Sequence, residues 1–217
     1  MDIQTLIDHY PLLYHMAERE TWPSIKVHGL LSTRAALEHS NLNNAERVAL
    51  DQEHRPEKVS VPIGDRIVVL RDQKPMHPDR LAQALVDGTS CSEWYQFLNA
   101  RVFMWAEEHR LFGLLNAREY RNLEHDVLTI DTASLMARYA PRTMLCRMNS
   151  GNTFPMPHER GMEAFKTIAD YPVGPRSGAP KPPVVEVVIE HSVPDIAEFV
   201  VEVRRIRGRD VLRQLSL

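Results

Sequence analysis

The stretch at residues 12–32, LLYHMAERETWPSIKVHGLLS, predicts a strand, a turn and a helix, and the rest of the chain is organised around it. Its first three residues form an apolar run, short enough for a buried strand that ends at Tyr14 and His15. Thr21 or Ser24 can cap the helix that follows, and Gly29 predicts its C-terminal end. Taken alone, this stretch leaves His15 two interpretations: a partly buried histidine that caps the helix, or a ligand in a site.

The composition is that of an ordinary globular domain. Of the 217 residues, 43% are hydrophobic and 25% are charged, which argues against a disordered or fibrous chain and favours a single domain over residues 1–217. The formal net charge is −3 and the pI is near 6.4. A dedicated nucleic-acid-binding domain usually carries a global basic charge, which is missing here. Contact with nucleic acid through a local patch stays open.

Cysteine usage and the apolar runs indicate a cytoplasmic, bacterial-type protein. Cys91 and Cys146 are too few for a disulfide framework and are expected to be reduced, buried thiols. The first residues, MDIQTLIDHY, carry an early charge and no long apolar run, unlike a signal peptide. No stretch reaches the roughly eighteen apolar residues of a membrane helix, so no membrane partner is expected. The oligomeric state is not indicated.

Periodicity predicts an α+β protein. Helices are expected at residues 2–10, 33–50 with a break near Asn41, 79–86, from 106 onward, and 132–139 with Thr132 as its cap. Strands are expected at residues 65–70, 97–105 (or a loop and then a strand), 126–130, 142–148, 184–190 and 198–206. Residues 149–183, rich in proline and glycine, predict a long loop with one helical turn near 161–168. The absence of a βαβ rhythm and of GxGxxG or GxxxxGK[ST] favours a mixed sheet core.

Three polar residues lie in or beside apolar segments and could carry chemistry. A neutral His15 can bind a ribose hydroxyl or transfer a proton. Arg101, in FLNARVFMW, either makes a structural salt bridge or holds a phosphate or carboxylate. Glu186, in VVEVVI, is either on the wet face of a sheet or an active carboxylate, with Glu198 and Glu202 as competitors. Without HExxH or CxxC no metal is expected, and a Cys–His nucleophile is not favoured.

These three stretches together resemble the ADP-ribosyltransferase fold, and within it the DarT-like branch. The first motif of that branch, Leu-Tyr-His and then His-Gly-Leu, is matched by residues 13–15 and 28–30. The second, Phe-x-Pro-Arg-x-Pro-Met, is matched within residues 97–105 without its prolines. The third, a strand glutamate followed eight residues later by proline, is matched by Glu186 and Pro194. The chain is also similar to a smaller bacterial group that shares YHMAE, WPSI, HGLLST and a later NSG, from which no activity can be transferred.

The resemblance implies a split mixed or antiparallel sheet with flanking helices, and NAD bound in its cleft as a substrate. It implies three catalytic residues. Glu186 would stabilise positive charge on the ribose and take the acceptor's proton. Arg101 would hold the pyrophosphate or orient the acceptor, and His15 would hold the ribose. The implied cofactor-binding residues are Tyr14, His15, Gly29, Leu30, Asn99 and Trp105. Ala17 stands where the branch has threonine, which removes one polar contact to the cofactor.

The acceptor, a DNA or RNA base, is implied by the resemblance alone. In this fold the loop before the catalytic strand selects the acceptor, and here that loop is residues 149–183. Its basic residues are candidates for phosphate contacts, namely Arg160, Lys166, Arg176 and Lys181. The alternative is a catalytically silent relative that binds a nucleotide or a protein partner. An RNA 2′-phosphotransferase or an unrelated hydrolase are further possibilities.

Overall fold

The computed structural model describes residues 1–217, in which helices and strands are intermixed as expected for an α+β protein. The helices are α1 (Ile3–His9), α2 (Trp22–His28), α3 (Thr33–Glu38), α4 (Asn44–Gln52), α5 (Pro78–Ala84), α6 (Cys91–Asn99), α7 (Glu108–Leu115) and α8 (Thr132–Tyr139). The strands are β1 (Leu12–Glu18), β2 (Leu30–Leu31), β3 (Val59–Ile63), β4 (Arg66–Leu70), β5 (Arg101–Trp105), β6 (Glu124–Asp131), β7 (Thr143–Cys146), β8 (Phe165–Thr167), β9 (Glu186–Glu190), β10 (Ser192–Val193), β11 (Val200–Arg207) and β12 (Asp210–Gln214). Short 3-10 turns lie at Ala140–Arg142, Met162–Ala164 and Ile196–Glu198.

Eight strands form one sheet in the order β12-β11-β6-β1-β5-β9-β7-β8. Every strand pair in this sheet is antiparallel, so of the two predicted arrangements, mixed or antiparallel, the antiparallel one is observed. β1 pairs with β6 along its whole length, whereas it pairs with β5 only at Tyr14 opposite Trp105. Beyond this one pair, β1 and β5 are not paired with each other, and the sheet opens between these two central strands.

The centre of the sheet is covered on both faces. The first four residues of β9 are all buried, including Glu186. On one face, Val187 joins Leu6 of α1 and Leu135 of α8 in the main hydrophobic core. On the other face, Val188 packs in a smaller cluster with Trp94 of α6. A carboxylate in this position is removed from water and must be held by specific partners.

Gly29 connects the first and third motifs of the sequence. Its φ is +80°, and a Cβ at this position would lie 2.3 Å from the Cα of Pro194. Only glycine allows this backbone conformation and this close approach together. Directly after Gly29, Leu30 and Leu31 of β2 pair with β10, just before Pro194. The helix that ends at His28 is thereby fixed against the segment that follows β9.

Several boundaries differ from the sequence prediction. Residues 97–99 end α6 and are not strand, because an apolar run such as WYQFL fits a buried helix as well as a strand. The cap of α8 is Asp131, whose carboxylate accepts from the Ser134 amide, whereas Thr132 donates its hydroxyl to Tyr10. Cys91 is only partly buried, while Cys146 is buried as predicted.

Some strands were not predicted. β3 is one of them, and it pairs in a separate hairpin with β4, which is the strand predicted at residues 65–70. β12 forms the sheet edge with all five residues exposed, so it lacks the apolar alternation that marks a strand. Within residues 149–183 the predicted turn near 161–168 is observed as a 3-10 turn followed by β8. No helix is both long enough and apolar enough to span a membrane.

Candidate functional site

A cavity of about 370 Å³ lies where β1 and β5 separate, and most of the predicted site residues line it. This volume is within the usual range for small-molecule sites. The wall includes His15, Gly29, Leu30, Asn99, Arg101, Trp105 and Glu186. Segments that are far apart in sequence therefore meet at one place in the fold.

Tyr14 is the exception among the predicted residues. Successive side chains of a strand point to opposite faces, so Tyr14 lies on the other side of β1 from His15. Its ring packs against the cluster formed by Leu111, Leu115 and their neighbours, and it does not line the cavity. Tyr14, predicted to contact a cofactor, therefore lies outside this cavity.

Glu186 is a buried carboxylate on the cavity wall. Its residue is only 4% exposed, and the Ser150 amide donates to both of its oxygens, at 3.2 and 3.3 Å. Burial raises its pKa to about 7, against the opposing effects of the Ser150 hydrogen bonds and the positive charge of Arg160. Near neutral pH this carboxyl group therefore changes its protonation state.

The two competing glutamates lie elsewhere. Glu198 is in a 3-10 turn and pairs with Arg138 at 2.9 Å, with an exposed side chain. Glu202 is in β11 and pairs with Arg204 at 3.0 Å. Neither lines the cavity, so Glu186 is the one of the three predicted carboxylates that belongs to this site.

His15 presents one free ring nitrogen. Its Nδ1 lies 2.8 Å from the carbonyl oxygen of Phe103, across the gap between β1 and β5. Because a carbonyl only accepts, Nδ1 carries the proton in the neutral ring and Nε2 is left as an acceptor. Burial lowers the pKa of His15, which the Phe103 carbonyl partly opposes, and keeps the ring neutral at neutral pH. Nε2 has no protein partner and can accept from a hydroxyl group.

Arg55 and Arg101 are arginines on the wall whose positive charge no carboxylate neutralises within ion-pair distance. Arg101 donates from Nη1 to the Phe97 carbonyl at 2.6 Å, and its guanidinium lies 3.5 Å from the centre of the Phe97 ring. Arg55, 6% exposed, donates to the carbonyls of Arg71 and Leu50 at 2.7 and 3.0 Å. Burial lowers the pKa of Arg55 to about 10, so it remains charged. Neutral acceptors thus fix both cations, and the cavity favours an anionic ligand.

Other polar groups on the wall differ in how far they are satisfied. Arg71 donates from Nη1 to Glu18 at 3.2 Å, a carboxylate that it shares with Lys58, and its buried Nε and Nη2 have no partner. Asn99 is 4% exposed, and its amide nitrogen donates to the Asp51 carbonyl at 2.9 Å. Its oxygen accepts from Gln73 at 3.4 Å. The Asn99 side chain therefore supports the wall, and it is not a free ligand for a cofactor.

Residues 149–151 contribute a further part of the wall, which the sequence prediction did not include among the site residues. Arg160, predicted to contact acceptor phosphates, is instead buried and bonded to backbone carbonyls. Lys166 is paired with Glu163, while Arg176 and Lys181 are exposed. The only sequence signal for this part of the site is the NSG at residues 149–151. Arg55, elsewhere on the wall, has no sequence signal, because the surrounding HRPEK resembles a solvated loop.

The chain belongs to the family of unknown function DUF7002, whose model matches residues 11–200. This match contains every element that lines the cavity, from β1 through β9. No curated protein matches the chain. No three His, Cys, Asp or Glu side chains are grouped in a way that could hold a metal ion.

Proposed function

We propose that the protein is an NAD-dependent ADP-ribosyltransferase that transfers ADP-ribose to a nucleic-acid base or another macromolecular acceptor. The observation that carries this proposal is the position of His15, Arg101 and Glu186 on the wall of one cavity. These are the three residues that the resemblance to the DarT-like branch singles out. The three residues are far apart in sequence, so their presence on one cavity wall supports the proposal.

The groups on the wall suit the diphosphate and a ribose of NAD. Arg55 and Arg101 provide cations for the diphosphate. Nε2 of His15 can accept a hydrogen bond from a ribose hydroxyl, whereas Trp105, which the resemblance implies as a nicotinamide contact, packs with Tyr14 in the cluster of Leu111 and Leu115. These roles are parts of the proposal, and they rest on the charge and hydrogen-bonding state of each side chain.

Cleavage of the bond between nicotinamide and ribose develops positive charge on the ribose carbon, as in glycoside cleavage. An ionised Glu186 stabilises that charge, and its burial strengthens the interaction because little water screens it. The same carboxylate can accept the proton that the acceptor group loses as it attacks. The proposed reaction therefore needs Glu186 in its charged form, which becomes dominant above pH 7.

The test is NAD consumption at pH 8, followed as release of nicotinamide, with nucleic acid supplied as acceptor. Glu186→Gln keeps the size of the side chain and removes its charge, and we expect turnover to fall by about 100-fold or more. His15→Ala is expected to reduce it as well, because the ribose contact is lost. The control is Glu198→Gln, since Glu198 is outside the cavity and exposed. Unchanged turnover in both cavity variants would remove the proposed mechanism.

A silent nucleotide-binding protein is the second candidate, and one observation favours it. Glu186 is 4% exposed and already holds the Ser150 amide with both oxygens, which limits its access to a ligand. Under this alternative NAD or ADP-ribose raises the thermal midpoint of unfolding, as any ligand of the folded state does. No nicotinamide is released at any pH between 6 and 9. Binding without turnover would select this function.

A further inference from the structure

The first part of the proline- and glycine-rich segment is folded around one arginine. Arg160 is 2% exposed, and its guanidinium donates to three carbonyls of its own loop. Nη1 donates to Ser150 at 3.0 Å, Nη2 to Asn152 at 2.9 Å and Nε to His158 at 3.0 Å. Arg160 also exchanges backbone hydrogen bonds with the end of α5, through Ala84 and Val86. The loop is thus a built structure whose centre is a single side chain.

A second anchor holds the same loop against the segment before α5. Thr153 is fully buried, and its amide and hydroxyl both donate to the Pro75 carbonyl, at 2.9 and 3.2 Å. Its hydroxyl oxygen also accepts from the His77 amide at 3.0 Å. Ser150 therefore lies in a turn whose downstream end is fixed, and its own carbonyl is held by Arg160.

The turn places one donor on Glu186. The Ser150 amide is the hydrogen-bond partner of the carboxylate, and Arg160, behind it, makes no ion pair with any carboxylate within 4 Å. From β7 the facing group is the thiol of Cys146, whose pKa burial raises to about 12, so it carries no charge. From β5 the opposite residue is the uncharged Trp105, and His15 of β1 is neutral. Arg160 is therefore the charge that most directly favours the ionised carboxylate.

We infer that Arg160 is a positioning residue for Glu186: by holding the carbonyls of Ser150, Asn152 and His158, it keeps the Ser150 amide on the carboxylate. The side chain touches neither the cavity nor any ligand in it, and acts through the loop. This inference deepens the proposed function and rests on it for its catalytic meaning. The hydrogen-bond arrangement itself is independent of any activity.

The test is a pH titration of Glu186 by NMR, using the carboxyl ¹³C of labelled glutamate and the amide of Ser150, with Glu186→Gln to assign the signal. Arg160→Met removes the three hydrogen bonds and the charge, and we expect the titration midpoint to rise by about one pH unit or more. Arg160→Lys keeps the charge without the fork, and we expect a smaller rise in the same direction. If Arg160→Met does not fold, Arg160→Lys decides. Arg147→Met is the control, because Arg147 is an exposed arginine near the same turn.

Turnover adds a readout that a purely structural role would not move. In Arg160→Met the acid limb of the kcat/KM profile should shift upward by the same amount as the NMR midpoint, with the plateau at high pH retained. An equal loss of kcat/KM at every pH, or an unshifted midpoint in a folded variant, would overturn the inference. If the wild-type protein shows no NAD turnover, the proposed function fails, and the NMR midpoints still decide whether Arg160 positions Glu186.

Discussion

Replacing Glu186 by glutamine should make the folded protein more stable above pH 7. The carboxyl group is neutral in both the folded and the unfolded chain below pH 4.5, its ordinary pKa. Between pH 4.5 and about 7 the unfolded chain loses its proton while the folded chain keeps it, so stability is lost over this interval. Above about pH 7 the folded state holds a desolvated charge and the loss is complete. Each tenfold change in the ionisation equilibrium corresponds to about 1.4 kcal/mol, so the change from 4.5 to about 7 corresponds to about 3 kcal/mol.

The glutamine side chain has nearly the same shape and does not ionise. Its oxygen can still accept from the Ser150 amide, which bonds both carboxylate oxygens in the wild-type protein. The free energy of unfolding of Glu186→Gln minus that of the wild type should therefore rise by about 3 kcal/mol between pH 4.5 and pH 9. Urea denaturation at a series of pH values measures this difference directly, and other titrating groups cancel between the two proteins.

The matched control is Glu190→Gln in the same strand, where the side chain is exposed. Its difference from the wild type should change much less with pH than that of Glu186→Gln, because an exposed carboxylate is screened by water. A difference for Glu186→Gln that is flat between pH 4.5 and 9, or that falls, would refute the reasoning. A flat difference would mean that Glu186 ionises at its ordinary pKa, with the Ser150 amide and Arg160 fully offsetting its burial, and a falling difference would mean that they more than offset it.

Two further substitutions test the fold around the cavity by urea denaturation. Gly29→Ala should lower the free energy of unfolding by about 3 kcal/mol or more, because the added Cβ meets the Pro194 backbone. The control is Gly64→Ala. Gly64 is also at positive φ but has open space around it, so this change should lower the free energy of unfolding by about 1 kcal/mol. Equal losses would contradict the close approach of Gly29 to Pro194. Asp126→Ala should lower it by about 3–5 kcal/mol, because it removes the buried carboxylate 2.9 Å from Arg205 and leaves that arginine only the exposed Glu20 at 3.5 Å. The exposed Glu163, paired with Lys166, is the control, and its substitution by alanine should change stability by less than about 1 kcal/mol.

The sequence predicts the part of the site that lies on regular elements. The strand, turn and helix at residues 12–32 are observed as β1 and α2, because the apolar spacing and Gly29 specify them locally. Glu186 could be placed in a strand from the β-branched residues on both sides of it. Its burial could not be predicted from alternation alone, since β9 is covered on both faces and has no wet face.

The rest of the site depends on contacts that leave no periodic signal. Ser150 and Arg160 lie in a segment whose composition predicts a loop, and its order comes from the hydrogen bonds of one side chain to backbone carbonyls. Arg55 is buried because α3, α4 and the segment after β4 surround it. Asn99 was predicted as a ligand from its place in a motif, and the structure uses its amide to join α6 to α4. Motif position identifies which residues meet, and it does not determine whether their polar atoms are free.

The arrangement of charge in the cavity connects stability with the proposed chemistry. Arg55 and Arg101 are held by neutral acceptors and keep their full charge for a ligand. Glu186 is desolvated before any ligand arrives, which raises its pKa to about 7 and lowers stability at higher pH. In the proposed reaction, the same desolvation strengthens its attraction to the positive charge on the ribose, because little water intervenes. Glu186→Gln should therefore be more stable and inactive together, whereas a structural carboxylate would give the gain in stability without any loss of turnover.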